Sequence, residues 1–239
     1  MKGVGMTTSF VTYEQVEEVA IITMDDNKAN ALSFDLLAGI SNALDRAANE
    51  AKAIVLAGRP GRFSAGFDLS VMKAGNEGLR KLVKKGGELF LKAYLHPQPL
   101  VVACTGHAVA GGALLLLSGD LKLGIEGNFK IGLNEASIGL LLPDYAMGLA
   151  QRSLSKRYLT RATLLSELYD PMGAVECGYL DIVCAPEVLR ETALLEAKRL
   201  ALYSSEVFKK IKNLARGEFV EKTLNGLDKD ISEMEIPSS

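Results

Sequence analysis

Apolar residues along the chain fall into two kinds of run. Short continuous runs suit strands of a sheet covered on both faces, and longer stretches with apolar residues at helical spacing suit amphipathic helices. VAIITMD (19–25) predicts a strand paired with FVTYEQV (10–16). After the loop DNKANALS (26–33), Ser33 is placed to cap a helix in which Leu37, Ile40, Leu44 and Ala47 share one face. AIVLA (53–57) is the next buried strand. GRPGRFSAGFDL (58–69) crowds three glycines and a proline together and reads as a loop without regular structure. A helix from about Glu77 to Tyr94 ends at PQP (97–99). PLVVACTG (99–106) predicts a strand, GGALLLLSGD (111–120) a short helix, and LKLGIE (121–126) and FKIG (129–132) further strands.

The second half turns helical. Asp170-Pro171 gives a cap and a first-turn proline, and Gly178 fits the far end of that short helix. LDIVCA (180–185) is one last strand. Beyond Pro186, VFKKIKNLA (207–215) and EFVEKTLNGLDKDI (218–231) alternate apolar and charged residues at helical spacing. Strands alternating with helices, then a helical tail, predict an α/β fold: a core over 1–185 and a helical C-terminal region over 186–239.

Composition narrows the function classes. With 48% hydrophobic residues in 239, a sizeable core needs neither disulfides nor metals. The net charge of −2 argues against a general nucleic-acid or membrane-surface role. Cys104, Cys177 and Cys184 are odd in number and lack metal-ligand spacing, which fits buried thiols in a reducing compartment. The longest apolar runs, such as ALLLL (113–117), are too short to span a bilayer. The first ten residues show no basic-then-apolar pattern, so a cytoplasmic protein is expected.

Two glycine loops and one acid carry the candidate chemistry. In GRFSAGFDL (61–69), Ala65-Gly66 would let the backbone approach a ligand closely. In TGHAVAGGALLLLSGD (105–120), Ala110-Gly111-Gly112 lies between a strand and a helix, where N–H groups point outward. Two such groups facing one point would make an oxyanion hole. In IGLNEASIGLLLPD (131–144), Glu135 stands beside Asn134 in a run otherwise suited to burial. A buried carboxylate is costly unless paired or used; a helix start is one explanation and a catalytic base another.

Together, NKANALS, FSAGFDL, AVAGGALLLLSGD and NEASIGLLLP resemble the crotonase family, the enoyl-CoA hydratase/isomerase superfamily, in order and spacing from about Val19 to Val183. The resemblance implies a spiral of ββα units, a helical C-terminal region for trimer assembly (a homotrimer or a dimer of trimers) and an acyl-CoA thioester as substrate. Coenzyme A is then part of the substrate, with no separate cofactor and no metal. Carried over by motif, the oxyanion-hole N–H groups belong to Phe67 and Gly111. Backbone at Ala65, Gly66, Asp68 and Leu69, with Gly112, would hold coenzyme A, and Lys28 would approach its phosphates. Asp68 is also read as stabilising its own turn.

Family hydratases carry two glutamates; the first falls at Leu114 here and the second at Glu135. Leucine can neither hold water nor transfer a proton, so hydration should be poor. A lone base suits a double-bond shift, and IGLNEASIGLLLP looks most like the Δ3,Δ2-enoyl-CoA isomerase branch. In that branch the residue at Asn134 lies at the substrate. Asp144 is a candidate second acid, by which dienoyl isomerisation, hydrolysis or residual hydration would become open. Its alternative role is an N-cap for the helix YAMGLAQRSL. His96, before a proline, and His107, in the turn before the glycine pair, read as structural, which weighs against a dehalogenase. Some relatives are binding modules, a few for RNA. The cations of GLRKLVKKGG (78–87), however, read as a solvated helix face without interleaved aromatics.

Overall fold

Continuous apolar strands need cover on both faces, and the fold supplies it with two sheets and a shell of helices. The computed structural model describes residues 10–73 and 75–235. The N-terminal pattern behind the cytoplasmic expectation falls almost wholly outside these residues, as does the end of the 186–239 region.

The chain begins with β1 (Val11–Val16) and β2 (Val19–Met24), an antiparallel pair as expected, followed by α1 (Phe34–Glu50). Ser33 caps α1, its side chain accepting the Leu36 N–H, and Leu37, Ile40, Leu44 and Ala47 are all buried. A two-strands-then-helix unit then repeats. β3 (Ala53–Ala57) and β4 (Gly61–Ser64) lead into α2 (Leu69–Lys73) and α3 (Asn76–Tyr94). β5 (Leu100–Cys104) and β6 (Gly106–Val109) lead into α4 (Gly111–Leu117). β7 (Leu121–Ile125) and β8 (Ile131–Gly132) lead through a 3-10 turn (Ala136–Ile138) into α5 (Asp144–Ser153). β1 and β2 both join a six-stranded sheet, β1-β2-β3-β5-β7-β9; in each of the three following units the first strand joins that sheet and the second joins a three-stranded sheet, β4-β6-β8. This is the spiral of ββα units. α6 (Leu159–Thr163), α7 (Pro171–Cys177), β9 (Ile182–Cys184), α8 (Leu189–Ala201) and α9 (Ser205–Ser232) complete the chain. Asp170 caps α7 through the Gly173 N–H, and Gly178 closes it in a left-handed conformation.

Side chains alternate across the larger sheet. Ile22, Ile54, Leu56, Leu100 and Val102 face the main core with α1, α3 and α4. Ile21, Val55, Val101 and Leu123 face a second cluster closed by Leu189, Ala193 and Ala197 of α8. Among the described residues no helix is long and apolar enough to cross a membrane.

Four local expectations need correction. The 58–69 stretch is not wholly irregular, because β4 pairs in parallel with β6, a partner far along the chain. His107 stands in β6 rather than in a turn, and its Nδ1 accepts the Lys130 N–H at 3.0 Å. FKIG shortens to the two residues of β8. Asp144 is the first residue of α5, not its N-cap; Pro143 holds that place, and the Asp144 N–H donates to Asp230 Oδ2 at 2.8 Å.

Candidate active site

The two glycine loops meet at the start of α4. After β4, Leu32 bridges to Phe67: its N–H donates to Gly66 O at 2.8 Å, and its carbonyl accepts the Asp68 N–H at 3.3 Å. The Phe67 N–H lies outside this pairing and has no partner among the described residues. After β6, Ala110 takes φ 51° and ψ −127°, an unusual conformation for a non-glycine, with its N–H donated to Gly132 O at 3.0 Å. The helix then opens on Gly111, whose first-turn N–H is likewise unpaired among the described residues. Gly66, at φ +87°, touches this turn so closely that a Cβ there would fall 2.9 Å from Ala110 Cβ and 3.3 Å from Gly111 N. A Cβ on Gly112 would fall 2.4 Å from Ser64 O, so bare backbone lets α4 start against β4. The Phe67 and Gly111 donors therefore stand on adjoining loops.

Lys28 is exposed on the neighbouring loop, which Asp26 fixes by accepting the Lys28 N–H at 2.7 Å. That loop is tied to the first glycine loop where the Ala65 N–H donates to Ala29 O at 3.0 Å. Asp68 accepts the N–H and hydroxyl of Ser70, bonds that hold its carboxyl below its ordinary value, with Lys28 adding to the effect.

Glu135 follows β8, at the entry to the 3-10 turn that left-handed Gly139 closes. The Leu140 N–H returns to Glu135 O at 2.9 Å and clamps the turn. The side chain is buried, at 7% exposure, and its Oε2 has no partner, nor has Oδ1 of Asn134. Burial pushes the Glu135 carboxyl up to about 7, against a smaller opposing pull from its own N–H and that of Asn134. Tyr145 stands near enough to feel the Glu135 charge, but its hydroxyl donates to Val83 O at 3.2 Å. Tyr179, also nearby, accepts the Leu133 N–H at 3.2 Å.

These groups border a cavity of about 440 Å³. Ala65, Phe67, Val109 and Ala110 line it from the glycine loops, with Leu69 at an exposed position; Leu114 comes from α4 and Asn134 and Glu135 from the turn after β8. Leu79 and Val83 of α3, Tyr145 of α5 and Met234 just beyond α9 add to its apolar wall, as do Ile138, Leu140, Leu141 and Pro143 from the segment between Glu135 and α5. Glu135 is the one carboxylate among the described lining residues. Gly66, Gly111 and Gly112 build the backbone behind the lining, and Lys28 and Asp68 stand beside it. Asp144 is exposed and outside the lining, so the candidate second acid does not share the cavity with Glu135.

The sequence reading missed Tyr145 and Met234. It also passed over Gly86-Gly87 inside α3, where a Cβ would meet the Phe67 ring at 2.4 Å and the Tyr145 ring at 2.6 Å respectively. A glycine pair in a helix-periodic run was the available signal for the last feature. Met234 left none.

Comparison with known proteins identifies the family. A family model described as enoyl-CoA hydratase/isomerase matches residues 14–235. Mitochondrial enoyl-CoA delta isomerase 1 of Homo sapiens is 32% identical over 184 residues, 74% of this chain and 60% of the human protein. The match thus spans less than two thirds of that relative's length. A probable enoyl-CoA hydratase of Bacillus subtilis is 28% identical over 194 residues, 79% of this chain and 73% of its own. The crystal structure of an enoyl-CoA hydratase/isomerase family protein from Pseudomonas syringae superposes with a TM-score of 0.91 at 36% identity, covering 94% of this chain and 98% of that one. With the ββα spiral, the paired glycine loops and a match over nearly its whole length, this chain belongs to the enoyl-CoA hydratase/isomerase family.

Proposed function

We propose that the protein is an acyl-CoA isomerase that moves a double bond from position 3 to position 2 of an enoyl-CoA thioester. The observation that carries this reading is the buried carboxylate of Glu135, the one carboxylate among the described lining residues of a cavity that Leu114 also lines. By the family resemblance, Leu114 stands where hydratases carry their other acid. Glu135 takes the C2 proton; the C2–H electrons form a C1=C2 bond as the carbonyl π electrons move onto the thioester oxygen, giving a dienolate that still holds its C3=C4 bond. The N–H groups of Phe67 and Gly111 stabilise that enolate oxygen, each worth about 2.7–4 kcal/mol when preorganised. The protonated Glu135 then delivers the same proton to C4: the C3=C4 electrons take it, the C1=C2 electrons become the C2=C3 bond, the oxygen re-forms the carbonyl, and the carboxylate is regenerated. A carboxyl that titrates at about 7 suits this double duty, because it both accepts and releases a proton near neutrality.

Coenzyme A lies along Ala65, Gly66, Asp68, Leu69 and Gly112, with Lys28 toward its phosphates and Asn134 at the acyl group. The similarity to a protein named as an isomerase supports the reading, while relatives named as hydratases make the choice of substrate decisive in the test. Wild-type protein is supplied with 3-hexenoyl-CoA and 2-hexenoyl-CoA separately. The first should give the 2-enoyl product without a 3-hydroxyacyl product, and Glu135→Gln should slow that conversion by about 10²–10⁴-fold. Hydration of the 2-enoyl thioester at comparable rate, or wild-type turnover in Glu135→Gln, would overturn it.

The protein is also proposed to assemble as a homotrimer or a dimer of trimers through α8 and the first half of α9. There Leu195, Leu202, Val207, Ile211 and Leu214 are exposed apolar side chains.

A further inference from the structure

One residue that lines the cavity comes from the far end of the chain. α9 ends at Ser232, and the Met234 N–H turns back to Ile231 O at 3.1 Å. This turn sends the Met234 side chain inward, where it lines the cavity at only 2% exposure. Residues just past a helix end ordinarily fray. Here Arg80 of α3 prevents that, its Nε donating to Met234 O at 2.9 Å. One helical turn along, Lys84 of α3 pairs with Asp228 of α9. Leu79 and Val83, the α3 residues that line the cavity, flank Arg80 in sequence. The tether and the wall are therefore held in one register.

We infer that the C-terminal end of α9 sets the acyl-chain length of this site, with Met234 as the stop and Arg80 as the positioning residue that holds it. The inference rests on the acyl-thioester reading above. Glu135 and the two N–H donors would fix the thioester and its reacting carbons, so the remaining tail is measured against the rest of the lining, to which the C-terminal end of α9 contributes Met234. Methionine, unbranched and with three rotatable side-chain bonds, makes a yielding stop. The length limit should accordingly be a graded break rather than a wall.

The test uses binding of saturated acyl-CoA thioesters, from butanoyl to hexadecanoyl, to the full-length protein. Saturated chains have no double bond to move, so the result is independent of isomerase activity. Wild-type affinity should rise with chain length and then break. Met234→Ala should move the break to longer chains, improving the first excluded length by roughly tenfold relative to the preferred one. Met234→Phe should move it to shorter chains. Arg80→Ala should blur the break, and Arg80→Lys should restore it only in part, because one ammonium replaces a planar fork. A break that stays in place in both Met234 variants overturns the inference, as does a parallel weakening at all lengths. If no thioester of any length binds the wild type, the acyl-CoA reading itself falls and takes the inference with it.

Discussion

Burial lifts the Glu135 carboxyl from 4.5 to about 7, so the folded protein keeps this proton where the unfolded chain has already lost it. Between those values the native state binds more protons than the unfolded state, and its stability falls as pH rises through that window. Above about 7 the cost is on the order of 3 kcal/mol. Glu135→Gln removes the charge and keeps the shape. In urea melts its advantage over wild type should approach about 3 kcal/mol at pH 8 and fade toward zero below 4.5. An equal gap at both ends would mean that the charge carries no penalty. The same ionisation should give kcat/KM for the free enzyme an acid limb with its midpoint near 7. Glu135 was legible in the sequence because an acid in an apolar run demands an explanation. Asp144 was misplaced by a single position, since Pro143 takes the cap and turns the aspartate outward. Tyr145 and Met234 were not legible, because their place beside Glu135 depends on how α3, α5 and α9 pack, which local spacing does not encode.

At the scale of elements, the central strands of the larger sheet, β2, β3 and β5, were read correctly because apolar continuity marks burial on both faces. β4 and β6 escaped the reading because each has four residues, and their hydrogen bonds come from one another across a long sequence separation. α3 was read correctly in extent, and its basic run is largely neutralised: Lys81 pairs with Glu77, Lys84 with Asp228 and Lys85 with Glu88. The unread feature of α3 is its glycine pair. Two glycines in a helix interior each forgo about 1 kcal/mol of helix propensity relative to alanine. In return the Phe67 and Tyr145 rings lie directly on the helix backbone. Gly86→Ala should therefore lose about 1–3 kcal/mol to overpacking, more than the propensity it regains. It should also lower kcat, because the displaced Phe67 ring moves its own N–H. Gly226→Ala in α9 is the matched control, since its Cβ meets nothing within 4 Å. That variant should gain about 0.4–1 kcal/mol. If both substitutions stabilise equally in thermal melts, the Phe67 contact constrains nothing.

Over the whole molecule, α9 divides into halves of opposite character. Its second half behaves as an ordinary amphipathic helix, burying Val220, Leu227 and Ile231. Its first half buries Lys212 and leaves Val207, Ile211 and Leu214 exposed. Local spacing shows apolar and charged stripes there but not which one faces inward. The inversion is fixed by a polar node. Asp120 accepts Lys212 Nζ at 2.6 Å, Arg216 at 2.8 Å and the Leu100 N–H at 2.8 Å, while Lys212 also donates to His96 O at 2.9 Å. Burial lowers the Lys212 ammonium to about 8, against the opposing pull of Asp120. A helix pinned this way by its charges cannot roll to bury its apolar stripe, and the assembly of copies proposed above would cover it. Leu214→Glu places a charge at the middle of the stripe without touching the node. Sedimentation should show it shifting from a trimer or hexamer to a monomer, while its circular dichroism and the main thermal transition of the fold persist. Asp120→Asn acts in the opposite sense, removing one partner from a buried pair at a cost of about 3–5 kcal/mol. It should destabilise the fold before it alters the association. A Leu214→Glu protein that sediments as wild type would show that the exposed stripe of α9 is not the surface by which copies meet.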